Sequence, residues 1–309
     1  MSILRFSSSG SVLCAIDDTL LTVFLCSPFE KRIERTFSAP LGLVDVLGTS
    51  NCWALVGSSP SDTSSLFHDH KVVIWDDREC QCLCEIGSSS KILNIAFLSD
   101  CIVVLSENEV FVTNIHSLSR TSIELKPSSS LLGVSSLLSS SVFAFPCTAH
   151  QSSSSSRASS HQGFLAIADP APSSPHCSII PAHKTPLSAI ALSSDGSLAA
   201  TASSEGTLIR VWSSSGSMIS EFRRGTRKAT ITSLAFGGTK FVAIASKKET
   251  VHVFSLAGKH LSFDTKSKVA KFLNFDVSGE LLFVVGQDRT FRTLSVKDSE
   301  LVEVDRTNF

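Results

Sequence analysis

Short apolar runs rich in Val, Ile, Leu, Phe and Thr recur down the chain with period two, separated by turns of Ser, Asp and Gly. Alternate positions of a strand face opposite sides, so this pattern predicts strands. The clearest unit is LSAIALSSDGSLAATASSEGTLIRVW (187–212), which reads strand, turn, strand, turn, strand. ITSLAFGGTKFVAIASKKETVHVF (231–254) and AKFLNFDVSGELLFVVGQDRTFRTL (270–294) repeat it. ILRFSSSGSVLCAIDDTLLTVFL (3–25) and ILNIAFLSDCIVVLSENEVFVTN (92–114) are looser copies. Trp212 to Phe254 is a step of 42 residues, and Phe254 to Leu294 one of 40. Repeats of about 40–45 residues built of four short strands are propeller blades. The 309 residues hold roughly seven of them. The expectation is an all-β chain, 1–309 as one domain, folded as a seven-bladed β-propeller of WD-repeat type. A β-sandwich also has short strands and regular turns, but it does not require five related copies at a steady step.

Two stretches break the pattern. Residues 57–70 and 150–162 are serine-rich and poor in apolar side chains, and they read as mobile loops outside the core. Residues 127–149 are also serine-rich but carry paired leucines and Phe143 with Phe145, and they read as a degenerate blade. Cys80, Cys82 and Cys84 alternate, which suggests one face of a strand. That spacing is not the C-x-x-C of a zinc site. With nine scattered cysteines the expectation is reduced thiols in a cytoplasmic protein. Neither a secretory leader nor a membrane-length apolar run is visible.

Charge adds a location. The formal net charge is −1, yet His183–Thr250 holds nine Lys and Arg against four Asp and Glu. The stretch EFRRGTRKATITS (221–233) lies at its centre. On the repeat frame, Phe222-Arg223-Arg224-Gly225 falls on the outer strand of one blade, just before the next begins. Neighbouring side chains on a strand point to opposite faces, so each arginine serves a pocket on its own side. One blade supplies Thr201, Ser203, Thr207 and Arg210, with Gly206 letting the backbone turn closely. The next supplies Ser246, Thr250 and His252. Arg210 and His252 occupy equivalent positions, two residues before Trp212 and Phe254. Hydroxyls, backbone N–H groups and guanidinium forks together suit phosphate oxygens. The reading is two anion pockets on the propeller rim.

This motif with its flanks resembles the PROPPIN family, the phosphoinositide-binding propellers also called WIPI proteins. HKTPLSAIALSSDGSLAATASSEGTLIRVW is similar to the family's fifth blade. WALVGSS followed by HKVVIWDD resembles the second, and FSSSGSVLCAIDD with SPFEKRIERTF the first. The resemblance implies one headgroup pocket of Thr201, Ser203, Gly206, Thr207, Arg210 and Arg223. It implies a second of Arg224, Gly225, Ser246, Thr250 and His252, with Thr230 and Ser233 as additions. It implies binding of phosphatidylinositol 3-phosphate and phosphatidylinositol 3,5-bisphosphate. The implied site of action is preautophagosomal, endosomal or vacuolar membranes, to which a cytoplasmic monomer is recruited peripherally. There it acts as a recruitment scaffold in autophagosome formation or endolysosomal traffic. The implied protein partner is an autophagy factor of the lipid-transfer or conjugation machinery. One departure stands out. The family carries a long, partly apolar loop after the sixth blade's T-V-H-x-F strand, where this chain has only AGKHLSFDTKSK (257–268).

Other classes fare worse. Ser, Asp and His meet in 57–70 without a nucleophile-elbow motif, and His68 and His70 beside Asp69 find no further ligand at metal spacing. The chain reads as no enzyme, with no cofactor and no metal. Nucleic acid is not an expected partner, because a chain with no tyrosine and three tryptophans is poor in stacking platforms. A general WD-repeat protein-interaction scaffold with weak or no lipid binding is the alternative.

Overall fold

The computed structural model describes residues 3–58, 66–137, 140–148, 162–170, 176–267, 269, 271–297 and 300–309. Among them, 28 strands form seven four-stranded antiparallel sheets, each taking its strands consecutively from the chain. This is the blade series of a β-propeller. The chain divides into two compact units, with three sheets in the first and four in the second.

The first unit contains sheets spanning Ile3–Thr36, Leu41–Gly87 and Ile92–Ile123. Its second strands are buried almost throughout, as in Val12–Asp17 and Cys52–Gly57, while the fourth strand Gln81–Gly87 alternates exposed and half-buried. Face-to-face sheets explain both patterns. A middle strand is covered on two sides and reads as an apolar run, whereas an edge strand keeps one side wet. Cys82 and Cys84 lie on that edge strand, but Cys80 precedes it in an exposed turn at φ 53°. The expected three-cysteine face is therefore a two-cysteine face. All nine cysteines are free thiols.

The loop expected over 57–70 is corrected at both of its ends. Residues 59–65 lie outside the described set, but Gly57 closes a strand and Phe67 is 4% exposed. The Phe67 ring meets Phe37 edge-on at 5.2 Å inside an apolar cluster with Trp53 and Val73. A Cβ at Gly57 would lie 2.5 Å from the Phe67 backbone, so only glycine lets the chain cross there. The returning half of a serine-rich stretch is thus core.

The second unit holds the sheets built from Gly133–His183, Leu187–Arg223, Ile231–Asp264 and Lys271–Asn308. The degenerate blade is real. Its first strand is only Gly133–Val134, but Phe143 and Phe145 on Phe143–Cys147 are fully buried. Residues 150–161 of the second serine-rich stretch lie outside the described set. Apolar clusters fill the spaces between successive sheets of this unit, with Ala200, Ile209, Leu234 and Ile244 between the fifth and sixth.

A candidate anion site on the fifth and sixth sheets

The strand Met218–Arg223 is the fourth of the fifth sheet, and its register decides where each side chain goes. Glu221 lies opposite Arg210, Phe222 opposite Ile209, and Arg223 opposite Leu208. Arg223, Glu221 and Arg210 therefore share one face, and Phe222 takes the other. The arginine face is turned to the fourth sheet, where Arg210 Nη1 donates to the Ala182 carbonyl at 2.7 Å. The Phe222 face is turned to the sixth sheet, where Phe222 stacks on Phe254 at 5.0 Å. Arg224 lies just past the strand, but its N–H still donates to Thr207 O at 2.9 Å. It therefore continues the alternation on the side of Phe222. The two arginines diverge.

On the fourth-sheet side, Arg223 is exposed and Arg210 is half-buried in an ion pair with Glu221 at 2.9 Å. Thr207 is half-buried and Ser203 buried. Gly206, at φ 62°, gives its N–H to Ser203 O. Thr201 is placed differently from its neighbours. It is fully buried, and its Oγ1 lies 3.0 Å from both Trp212 Nε1 and His183 Nε2. Burial first, then the Arg210 charge, push His183 down to about 4, so the ring is neutral at pH 7. Trp212 donates to Thr201 Oγ1, and the direction of the Thr201–His183 bond follows the His183 tautomer, because the hydroxyl also has the Arg210 carbonyl within 3.4 Å. Thr201 belongs to this interior relay. Thr201→Val leaves a buried indole N–H and an imidazole nitrogen unpaired. It is expected to lower stability by about 2 kcal/mol, read as a shifted urea midpoint.

On the sixth-sheet side, Arg224 is 9% exposed. Its Nε donates to Gly206 O at 2.7 Å and its Nη2 to Arg227 O at 2.6 Å, so one side chain ties the 203–207 turn to the 225–229 segment. Burial lowers its pKa from the usual arginine value. That segment runs on to Thr230, an exposed residue whose carbonyl accepts from Lys247 N at 3.1 Å. Thr250 and His252 lie two apart on Thr250–Ser255, on one face with Phe254. His252 is half-buried, and burial, the His260 ring and the Arg224 charge push it down to about 4. Ser246 is 1% exposed, and its Oγ accepts from Lys248 N at 3.3 Å, closing the turn beside Thr250. Gly225 is half-buried, with nothing within 4 Å of a Cβ. Ser233 is not brought to this side. Its Oγ accepts from Leu273 N at 3.1 Å, toward the seventh sheet.

His260 is the residue missed from sequence. Its Nε2 lies 3.0 Å from His252 Nδ1, and its ring stacks on Phe254 at 4.3 Å. It is hidden because 257–268 reads as a loop, and the structure corrects that reading. His260–Asp264 is a strand. The connection before it is a tight turn, in which Ser255 N donates to Lys259 O and Gly258 sits at φ 93°. Leu261 and Phe263 are partly buried against the apolar cluster between the sixth and seventh sheets. Lys268 lies outside the described residues.

The next step of the repeat differs in charge. Arg292 stands where Arg210 and His252 stand, but Asp264 and Thr265 occupy the places of Arg223 and Arg224. A cleft of about 500 Å³ opens there, lined by Asp264, Asp288 and Glu303 as well as Lys266, Arg292 and Arg306. Arg292 is spent on Glu303 at 2.8 Å and on Thr265 O at 3.2 Å. The buried Lys271 ammonium gives its protons to the carbonyls of Lys248, Ser267 and Val269. Carboxylates neutralise this step, whereas the previous two keep an excess of positive charge.

A family model described as PROPPIN matches residues 54–269. The chain is 32% identical to Autophagy-related protein 18 of Mycosarcoma maydis over 75% of its own length and 54% of that protein. It is 31% identical to Autophagy-related protein 18e of Arabidopsis thaliana over 79% of its own length and 63% of that protein. The chain belongs to the PROPPIN family. It spans a little over half the length of these relatives. Among solved structures, this PROPPIN matches Kluyveromyces lactis Hsv2 with a TM-score of 0.80 at 18% identity, over 100% of its own chain and 99% of the other. KlAtg21, solved in a complex with the coiled coil of AgAtg16, matches with a TM-score of 0.84 at 20% identity over 100% of both chains. A form of KlHsv2 with loop 6CD replaced by a Gly-Ser linker matches at 0.79 and 19% identity, over 99% of this chain and 97% of that one. These likenesses show the fold, a seven-bladed β-propeller of the WD-repeat kind. This PROPPIN joins the third and fourth strands of its sixth sheet by Leu256–Lys259 alone.

Proposed function

We propose that the chain is a phosphoinositide-reading peripheral membrane protein. It takes phosphatidylinositol 3-phosphate or phosphatidylinositol 3,5-bisphosphate in two pockets and recruits autophagy or endolysosomal machinery to the membrane. The observation that carries this reading is the divergence of Arg223 and Arg224 from one strand end toward two neighbouring sheets. Arg223 leaves its strand opposite Leu208, next to Thr207, Arg224 is tied to the 203–207 turn through Gly206 O, and the repeat's next step, where the arginines are replaced, is neutralised by carboxylates. The likeness to KlAtg21 supports a protein partner from the autophagy machinery. Peripheral attachment at preautophagosomal, endosomal or vacuolar membranes follows from the lipid class.

With Leu256–Lys259 as the whole of the connection, no long apolar segment is available there to enter a bilayer. Attachment then rests on two headgroups held at once. Linked weak sites multiply through a high effective concentration, and the surrounding excess of basic residues adds attraction to an anionic leaflet.

The test is flotation with liposomes carrying phosphatidylinositol 3-phosphate, the 3,5-bisphosphate, the 4-phosphate or no phosphoinositide. Retention by the 3-phosphorylated lipids alone, weakening as salt rises, is the expected result. Equal retention on all four, or none, would leave a WD-repeat interaction scaffold whose rim residues serve the fold.

A further inference from the structure

The His252–His260 pair poses a problem of proton counting. A 3.0 Å contact between His252 Nδ1 and His260 Nε2 requires one nitrogen to donate and the other to accept. If His252 Nδ1–H donates, His252 Nε2 is a bare lone pair, which repels an anion. If His260 Nε2–H donates, His252 carries its proton on Nε2 and offers it as a donor. His252 Nδ1 is already taken, so Nε2 is the only nitrogen that His252 can present to a ligand. In the donor arrangement, His260 Nδ1 is left bare on the exposed member of the pair.

We propose that His260 completes the second anion pocket. It holds His252 in the tautomer that donates from Nε2, and it takes up one proton from solvent when a phosphate monoester binds. The inference rests on the reading of this site as a phosphate pocket and adds a regulation to it, in which acidification strengthens binding.

The surroundings favour this order of events. Burial first, then the His260 ring and the Arg224 charge, keep His252 neutral. The strand face turned to the pair carries Ser220 and Phe222, neither of them charged, and Glu221 points the other way into its pair with Arg210. On the pair's own hairpin, Lys259 precedes His260, and Asp264 lies at the far end of the strand opposite Thr250. No carboxylate of these elements is in an ion pair with either ring among the described residues. An arriving phosphate therefore supplies the negative charge that makes a proton on His260 favourable. The flat stack of His260 on Phe254 and of Phe254 on Phe222 holds both rings in place.

The experiment measures affinity for vesicles containing phosphatidylinositol 3-phosphate between about pH 8 and about pH 6. Wild type, His260→Phe and His260→Gln are compared, with thermal unfolding as a check on each. Phenylalanine keeps the stack, whereas glutamine keeps an N–H for His252 Nδ1 but no titrating nitrogen. Wild-type affinity is expected to rise roughly tenfold across this range, as linkage to one proton allows. His260→Phe is expected to be weaker throughout and flat or falling, since the phosphate itself loses charge below about pH 6. His260→Gln is expected to match wild type at about pH 8 and to lack the acid gain. Competition by inorganic phosphate and by a soluble inositol phosphate, at both pH values, separates headgroup capture from a membrane effect. An acid gain retained in both variants, or absent from wild type that binds, overturns this inference alone. Wild type that binds no phosphoinositide vesicle at any pH overturns the function proposed above as well.

Discussion

Arg223→Ala with Arg224→Ala is expected to lower the affinity for phosphoinositide vesicles by more than about a hundredfold, while each single change weakens its own pocket toward a soluble headgroup by roughly tenfold or more. The single variants are expected to differ in kind. Arg223 is exposed at a strand end, so its removal should leave stability within about 0.5 kcal/mol of wild type. Arg224 is buried and holds the carbonyls of Gly206 and Arg227, so Arg224→Ala should also cost about 2 kcal/mol of stability. Calorimetric titration with a soluble inositol phosphate reads the two pockets separately. Wild type should take up two equivalents, and each folded single variant one. On vesicles either variant should then bind far more weakly than the loss of one headgroup suggests, because the second contact is no longer intramolecular. Loss of both equivalents in the folded Arg223→Ala variant would mean that the two arginines share one pocket. That outcome contradicts the register at Leu208 and Ile209.

The divergence of the two arginines is legible in the sequence because strand parity can be counted wherever pairing is regular. The fifth, sixth and seventh sheets are visible as copies, since middle strands covered on both faces leave apolar runs between Gly- and Asp-marked turns. Parity fails where the ladder does. The register shifts between Ile231 and Ser233, so counting along ITSLAF does not tell which way Ser233 points, and it points to the seventh sheet. Thr201 misleads for another reason. Trp212 reaches it by strand pairing within the fifth sheet and His183 by packing of the fourth sheet on the fifth, so a hydroxyl that looks like part of a turn-rich site is an interior relay. His260–Asp264 reads as loop because an edge strand exposed at alternate positions, flanked by Gly and Lys, carries too little apolar signal. The same weakness of signal hides His260 as a partner of His252. Phe67 escapes notice because two adjacent apolar residues, Leu66 and Phe67, in a serine-rich stretch say nothing about where the chain returns to the core.

Gly206→Ala is expected to remove about 3 kcal/mol of stability or more and to abolish binding at both pockets, whereas Gly225→Ala is expected to be neutral. Gly206 sits at φ 62°, which L-residues adopt at a cost of about 1–2 kcal/mol. Steric overlap adds more than this backbone cost. A Cβ there would lie 1.8 Å from the Ala229 carbonyl oxygen, which is backbone and cannot swing away as a side-chain end can. The 225–230 segment would have to move, and with it the Arg227 carbonyl that holds Arg224. Gly206 O is itself the acceptor of Arg224 Nε, so the displaced turn would release the arginine from both anchors. On the other side the same turn presents Thr207 and carries Ser203, so the first pocket is deformed too. Gly225 meets nothing within 4 Å and needs no left-handed backbone, so alanine there only narrows the unfolded ensemble. Urea unfolding beside vesicle flotation for both variants is the check. A stable Gly206→Ala protein with full binding would show that the 225–230 segment does not press on this turn. The shared hinge between the two pockets would then have to be given up.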